Sequence, residues 1–146
     1  MDKISIVNRK MTSEEIKRMN LGFDELSLEE GVELESSDRF SFVALKGSTF
    51  IGCSSGLAFK NGDIYSGWFF LTDLYVEKEH RSNGLGTKLL KALEKQMVSL
   101  GIKHVWLWTS GYKSLKFYHR HEYKNFTEME NWYSDGSSRV GLRKNL

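Results

Sequence analysis

The stretch Trp68-Phe69-Phe70-Leu71-Thr72-Asp73-Leu74-Tyr75-Val76 is followed, after four residues, by Arg81-Ser82-Asn83-Gly84-Leu85-Gly86. The first part is apolar and aromatic, as is typical of a β-strand. Two glycines one residue apart let the backbone direct consecutive N–H groups at one anion. A helix that begins here adds the positive end of its dipole. The stretch therefore predicts a strand, an anion-binding turn and a helix that together hold a phosphate-bearing ligand.

The segment after the glycine turn has the clearest helical pattern in the chain. Apolar residues recur at helical spacing, with lysines and a glutamate between them. The apolar positions are Leu85, Leu89, Leu93, Met97 and Leu100. Gly101 is expected to end this helix, and Ser82 or Asn83 to cap its start.

The flanking segments predict a mixed α+β sheet. Before the turn, we expect a strand at 4–7, a helix from Thr12 or Ser13 through about Leu21, and a short second helix or loop to about residue 38. Strands at 40–45, 50–53 and 64–76 should then pair antiparallel through turns at 46–48 and 60–63. After the long helix we expect a strand at 104–109, a short helix at 113–121, and a closing hairpin formed by 123–129 and 139–143.

Length and composition limit the possible classes of protein. The chain has 146 residues, of which 40% are apolar, and this fits one domain over residues 1–146. No apolar run approaches the roughly 18 residues of a membrane span, and the N-terminus lacks a signal-peptide core. One cysteine, Cys53, excludes an internal disulfide, so a cytoplasmic location is expected. A net charge of +2 gives no argument for nucleic-acid binding.

Charge is distributed unevenly along the chain. Residues 1–38 hold five Lys or Arg against ten Asp or Glu, whereas residues 39–146 hold sixteen against nine. Seven carboxylates without an intervening cation form what we call the acidic segment: Asp24, Glu25, Glu29, Glu30, Glu33, Glu35 and Asp38. The sequence leaves two interpretations open, a solvated loop or a rim that attracts a cation.

Three kinds of phosphate-binding turn were compared with Arg81–Gly86. A dinucleotide-binding fingerprint needs a third glycine where this chain has Leu89, and no βαβ unit precedes the turn. A P-loop needs the spacing G-x-x-x-x-G-K-[ST], which Gly84-Leu85-Gly86-Thr87-Lys88 lacks. The pyrophosphate loop of acyl-CoA-dependent acyltransferases, R/Q-x-x-G-x-G/A, matches at every fixed position.

On these residues the chain resembles the GNAT superfamily of N-acetyltransferases. Leu71–Val76 is similar to the family's fourth strand, and Ser114–Tyr123 to its segment A-x-x-F-Y-E-x-x-G-F. The resemblance covers residues 40–146 well and residues 1–39 only by the order of elements. The chain departs from the family pattern at Ser82 and Glu122, where the family often has glycine, at Lys78, where it usually has proline, and at Gly111, where some members have asparagine.

The resemblance implies a fold and a donor site. The fold is a mostly antiparallel sheet with two splayed strands at the acyl-CoA site, flanked by about four helices. The strand segment Leu74, Tyr75 and Val76 would bind the pantetheine arm through its main chain. The loop residues Arg81, Ser82, Asn83, Gly84, Leu85, Gly86 and Thr87 would bind the pyrophosphate. Acetyl-CoA is thus the expected co-substrate, with no metal.

The chemistry requires a group that accepts a proton and one that donates a proton. A primary amine is protonated near neutral pH and attacks a thioester only after losing that proton, so a carboxylate is a suitable base. Asp73 is our candidate, and a structural ion pair is the alternative for it. Tyr118 corresponds to the family's tyrosine beside the cofactor sulfur, and it would protonate the leaving thiolate.

The acceptor is less defined. We expect a small-molecule or peptide amine, cationic if the acidic segment borders its channel, with Trp68, Trp132 and Tyr133 as a candidate aromatic wall. Neither nucleic acid nor a membrane is an expected partner, and a homodimer through the C-terminal strands is an open expectation. A non-catalytic acetyl-CoA sensor with the same fold is the alternative function.

Overall fold

The computed structural model describes residues 2–146, and the chain divides into two compact units, Met1–Leu34 and Glu35–Leu146. The first unit contains one helix, α1 (Ser13–Glu29). Its start is fixed by a capping box, in which the Glu15 N–H donates to Thr12 Oγ1 at 3.1 Å and the Thr12 N–H donates to Glu15 Oε1 at 2.8 Å. The predicted end near Leu21 was too early, because the helix continues through Gly22 to Glu29.

The predicted strand at 4–7 was wrong. These residues have no strand structure and pair with no other strand. Ile4 and Ile6 are 96% and 99% exposed. Local alternation of apolar residues gives a strand only where a neighbouring strand accepts its backbone hydrogen bonds.

The second unit contains six strands and two α-helices. The strands are β1 (Glu35–Lys46), β2 (Thr49–Asn61), β3 (Ile64–Val76), β4 (His104–Thr109), β5 (Lys124–Met129) and β6 (Arg139–Asn145). The helices are α2 (Leu85–Ser99) and α3 (Tyr112–Arg120), and a 3-10 turn spans Lys78–His80. With α1 this gives three α-helices and one 3-10 turn in residues 2–146, where about four helices were expected. None of these helices has the length and hydrophobicity of a membrane span.

The six strands form one sheet in the order β1-β2-β3-β4-β6-β5. All neighbours are antiparallel except β3 and β4, which run parallel. That parallel pair is short, since only Trp68, Phe69 and Phe70 align with His104, Val105 and Trp106. Beyond Phe70 the two strands separate, and this confirms the predicted α+β fold with a splayed pair.

A bulge in β3 determines which side chains face the core near its end. Leu71 pairs with Gly56 and Asp73 pairs with Ser55, so Thr72 is the extra residue. A Cβ on Gly56 would lie 2.3 Å from the Phe70 carbonyl oxygen, so the bulge has no room for a side chain there. After the bulge, Leu74 packs against the core while Asp73 is exposed.

The core lies on the face of the sheet that α2 covers. Leu90, Leu93 and Met97 of α2 pack with alternate residues of the central strands. The strand residues in this cluster include Phe69, Leu71, Val105, Leu107, Val140 and Leu142. Gly101, in a left-handed conformation with φ 76°, follows the end of α2 as predicted.

Candidate functional site

A cavity of about 810 Å³ opens where the end of β3, the start of α2 and helix α3 meet. Its lining comes from three chain segments. The residues are Leu74, Val76, His80, Arg81, Ser82, Gly84, Gly86, Thr87, Tyr112, Lys113, Ser114, Lys116, Phe117, Tyr118 and Arg120. The cavity therefore lies at the predicted anion-binding turn, and at the point where β3 has left β4.

The N-terminus of α2 faces this cavity without a side-chain cap. Gly84 is the N-cap residue, with a left-handed φ of 79°, and no side chain hydrogen-bonds the first turn. The expected capping by Ser82 or Asn83 was wrong, because the turn places Gly84 at that position. The first N–H groups of a helix have no intrahelical partner, so those of α2 remain available to an anion in the cavity.

The charged residues of the lining are all cationic. Arg81, Lys113, Lys116 and Arg120 carry positive charge, and no Asp or Glu lines the cavity. None of the four forms an ion pair with a carboxylate within residues 2–146. The cavity is therefore suited to a ligand with several negative charges.

The three cations on α3 were missed by the sequence interpretation. Lys113, Lys116 and Arg120 lie three and four residues apart, a spacing that places them on one helix face. That spacing was visible in the sequence, but only the fold shows that this face lines the cavity.

Arg81 is held by the end of β3. Its Nε donates to the Val76 carbonyl oxygen at 2.8 Å, and its guanidinium lies 5.9 Å from the centre of the Tyr75 ring. The guanidinium forms no ion pair with a carboxylate in residues 2–146, and a backbone carbonyl anchors it instead. One edge of the guanidinium fixes the loop to the strand while the residue still lines the cavity.

Tyr118 is the innermost polar residue of the lining. It is 8% exposed and packs edge-on against Phe117 and Tyr123. Its hydroxyl has no protein hydrogen-bond partner in residues 2–146. Every fully buried side-chain oxygen in these residues does have a partner. The Tyr118 hydroxyl is therefore not fully buried, and it is accessible from the cavity. Burial raises the pKa of Tyr118 to about 12, so the phenol holds its proton at neutral pH.

Asp73 lies apart from the cavity. The alternation of β3 places it on the face opposite to Leu74, and its side chain is 62% exposed. It accepts a hydrogen bond from Thr72 Oγ1 at 2.7 Å and lies 3.9 Å from Arg39 Nη1. Ser41 and Ser55 continue this polar group across β1 and β2.

The structure divides the predicted site residues into two sets. Those that line the cavity are Leu74, Val76, Arg81, Ser82, Gly84, Gly86, Thr87 and Tyr118. Asp73, Tyr75, Asn83 and Leu85 do not line it. Tyr75 points away from it, stacks on Phe50 with ring centres 6.4 Å apart and donates to Glu77 at 3.0 Å.

Two aromatic residues proposed for an acceptor wall already contact internal cations. Arg143 lies 4.6 Å from the centre of the Trp68 ring, and Arg139 lies 5.3 Å from the centres of both Trp132 and Trp108. A ring face that holds an arginine is not free for a substrate cation. Phe70 and Trp106, which stack at 4.0 Å, are the aromatic pair at the point where β3 and β4 separate.

Two of the departures from the family pattern, Ser82 and Glu122, occupy strained backbone positions. Their φ angles are 67° and 69°, a region that glycine enters more easily than other residues. The turn geometry is thus kept without the glycines.

One further residue contacts the cavity lining from behind. His121 Nε2 lies 3.0 Å from Thr87 Oγ1 in a hydrogen bond, and its ring packs 4.7 Å from that of Phe117. Burial lowers the pKa of His121, so the imidazole is mainly neutral at pH 7. Residues 2–146 contain no group of three or more side chains arranged to hold a metal ion.

Comparison with known proteins gives one family and many similar folds. The sequence model of the Acetyltransferase (GNAT) family matches residues 9–123. No curated protein sequence matches the chain. Among solved structures, an acetyltransferase from Bacillus cereus ATCC 14579 superimposes with a TM-score of 0.78 at 18% identity, covering 97% of this chain and 98% of that one.

Two other structures of similar fold carry more specific names. An aminoglycoside 6'-N-acetyltransferase complexed with coenzyme A has a TM-score of 0.62 at 19% identity, covering 73% of this chain and 72% of that one. The ribosomal-protein-S18-alanine N-acetyltransferase from Escherichia coli has a TM-score of 0.63 at 16% identity, covering 73% and 68%. At these identities the likeness concerns the fold.

Proposed function

This chain belongs to the GNAT acetyltransferase family, and we propose that it transfers an acetyl group from acetyl-CoA to a primary amine of a cationic acceptor. The observation that carries the donor assignment is the cavity at the uncapped start of α2, lined by four unpaired cations and no carboxylate. Coenzyme A carries a diphosphate and a 3′-phosphate, so its charge is complementary to this lining.

The splayed strands support the position of the pantetheine arm. The edge of β3 beyond Phe70 has no partner strand on the β4 side, while Leu74 and Val76 line the cavity. An extended amide chain can satisfy such an edge as an added strand does. If the phosphates of acetyl-CoA bind at the start of α2 and its pantetheine arm lies along β3, the thioester is directed toward Tyr118.

The reaction we propose is direct. The neutral amine attacks the thioester carbonyl carbon, a C–N bond forms, and the C–S bond breaks. Tyr118 donates its phenolic proton to the departing thiolate; its hydroxyl is accessible, and its raised pKa keeps it protonated at neutral pH. Asp73 lies on the other face of β3 and outside the cavity, so in this proposal it receives the proton of the amine through water, and water returns a proton to Tyr118.

A screen of amines tests the activity. The chain is incubated with acetyl-CoA and, in turn, a polyamine, an aminoglycoside, lysine and a peptide with a free N-terminus, while thiol release is followed. Turnover that depends on one of these amines supports the transferase. Binding of coenzyme A without turnover by any amine supports the alternative function, an acetyl-CoA sensor.

The cationic acceptor is the part of the proposal that the acidic segment supports. Its seven carboxylates have no cation between them along the chain. Changing Glu29, Glu30 and Glu33 together to Gln should raise the KM of the acetylated amine, because attraction of a cation is lost. The same charge change at Asp63, Glu79 and Glu128 is the matched control. An unchanged KM for every amine in the first variant would refute the cationic acceptor.

Location and assembly complete the proposal. A cytoplasmic location fits a chain with one cysteine, which excludes an internal disulfide. A homodimer through the C-terminal strands would use β5, the edge strand of the sheet.

A further inference from the structure

We propose that His121 is a positioning residue for the donor, which it acts on through the hydroxyl of Thr87. The inference rests on the proposed function, since it assumes that the cavity binds coenzyme A. Thr87 lines the cavity in the first turn of α2, and His121 follows α3 and contacts that hydroxyl from outside the cavity.

The Thr87 hydroxyl has a single proton and can donate it to only one partner at a time. If His121 Nε2 is unprotonated, Thr87 must donate to it, and only oxygen lone pairs then face the cavity. If Nε2 carries a proton, it donates to Thr87 Oγ1, and the threonine proton is free for another acceptor. An anion in the cavity requires a donor, so a bound diphosphate selects the form of His121 that donates from Nε2.

The surroundings of His121 permit a change of its protonation state. Lys91 and Glu94 of α2, Arg120 of α3 and Lys144 of β6 are the charged groups that face it. Glu94 is itself engaged, since Lys144 Nζ lies 3.1 Å from both of its oxygens and the Tyr123 hydroxyl donates to it at 2.7 Å. Phe117 packs on the ring and holds it beside Thr87.

The protonation of His121 should make coenzyme A binding depend on pH. Nε2 carries a proton in the imidazolium and in one neutral tautomer, but not in the other neutral tautomer. The complex excludes that last form and places negative charge near the ring, so the His121 pKa is higher with the diphosphate bound than without it. Binding of coenzyme A should therefore strengthen as the pH falls through the range in which His121 gains its second proton. The 3′-phosphate of coenzyme A also titrates there, so slopes are compared between variants rather than taken alone.

The experiment measures the Kd of free coenzyme A by calorimetry at several pH values, with the whole chain. His121→Gln keeps an N–H donor near the Nε2 position but does not titrate, so its pH slope should be flatter than that of the unchanged chain. His121→Leu should weaken binding roughly threefold to tenfold at low pH, the effect of one oriented hydrogen bond. His119→Gln is the matched control, because His119 is exposed and hydrogen-bonds Asn125 at 2.8 Å outside the cavity.

Coupling between the two residues gives the second test. Thr87→Val should weaken binding by a similar factor, and His121→Leu should add little to it, because His121 acts only through the hydroxyl that Thr87→Val has already removed. Equal pH slopes in the unchanged chain and His121→Gln, or fully additive losses in the double variant, would overturn the inference while coenzyme A binding still supports the proposed function. If the unchanged chain does not bind coenzyme A, both proposals fail.

Discussion

At the scale of single residues, Tyr118 combines a buried ring with an accessible hydroxyl. We expect Tyr118→Phe to lower kcat at saturating acetyl-CoA by about a hundredfold, since one general acid typically contributes this much, and to leave the KM for acetyl-CoA nearly unchanged. Tyr112→Phe is the control, because Tyr112 lines the same cavity but is 74% exposed. A kcat within about a factor of two of the unchanged enzyme would remove the general-acid role.

The pKa of Tyr118 makes a separate prediction for the pH profile. A group raised to about 12 stays protonated throughout the range in which the enzyme can be assayed. The rate should therefore rise with pH as the acceptor amine loses its proton. Ionisation of Tyr118 should cause no decline in kcat between about pH 8 and about pH 10. A decline of kcat in that interval, present in the unchanged enzyme and absent in the variant, would contradict this assignment.

The residues of the turn could be predicted because their signal is local. Gly84 and Gly86, with Arg81 before them, form a fixed pattern within six positions. Lys113, Lys116 and Arg120 could not be assigned in the same way. The sequence shows that these three residues share one helix face, but it does not show what lies beside that face. Only the fold shows that α3 packs beside the start of α2.

At the scale of elements, the bulge of β3 is the feature with the clearest test. Gly56→Ala should destabilise the chain by about 1–3 kcal/mol, because the new methyl group meets the backbone oxygen of Phe70. Gly22→Ala is the matched control, since its new methyl group has no atom nearer than 3.9 Å and a helix interior favours alanine. Urea unfolding of both variants measures the difference, and equal stability of the two would contradict the crowding argument.

The start of α1 makes a prediction about one carboxyl group. Hydrogen bonds from Arg9 and from the Thr12 N–H lower the pKa of Glu15 to about 2, from an ordinary value of 4.5. Because the folded pKa is the lower one, the capping box adds stability above the ordinary value and loses it as the pH falls toward 2. Arg9→Gln should move the Glu15 pKa upward in an NMR titration. An unchanged Glu15 pKa would mean that Arg9 does not bind this carboxylate in solution.

Prediction of the elements succeeded where one pattern decides the structure. α2 has an apolar residue at every turn and ends at a glycine, so the sequence alone located it. α1 was predicted too short. Gly22 lowers helix propensity, but the helix continues past it, and Arg18 reaches Glu25 across that glycine at 3.2 Å. The strand expected at 4–7 was wrong because a strand needs a neighbouring strand to pair its backbone hydrogen bonds, and residues 4–7 have none.

At the scale of the whole molecule, residues 39–146 carry an excess of positive charge, and four of their cations line the cavity. Changing Lys113, Lys116 and Arg120 to Gln should weaken coenzyme A binding and flatten its dependence on salt, since fewer cations attract the phosphates. The same change at Lys88, Lys95 and Lys103, which are exposed outside the cavity, is the control. Equal effects of the two triple variants would show that only net charge matters.

The order of the strands has a consequence for how the protein is made. β6 lies between β4 and β5, although it is synthesised after both. Until β6 joins the sheet, β5 has no strand to pair with and β4 has only its short pairing with β3. The edge of the nascent sheet is thus open until a late seven-residue strand is inserted, and this is the interval in which a chaperone or a neighbouring nascent chain would meet it.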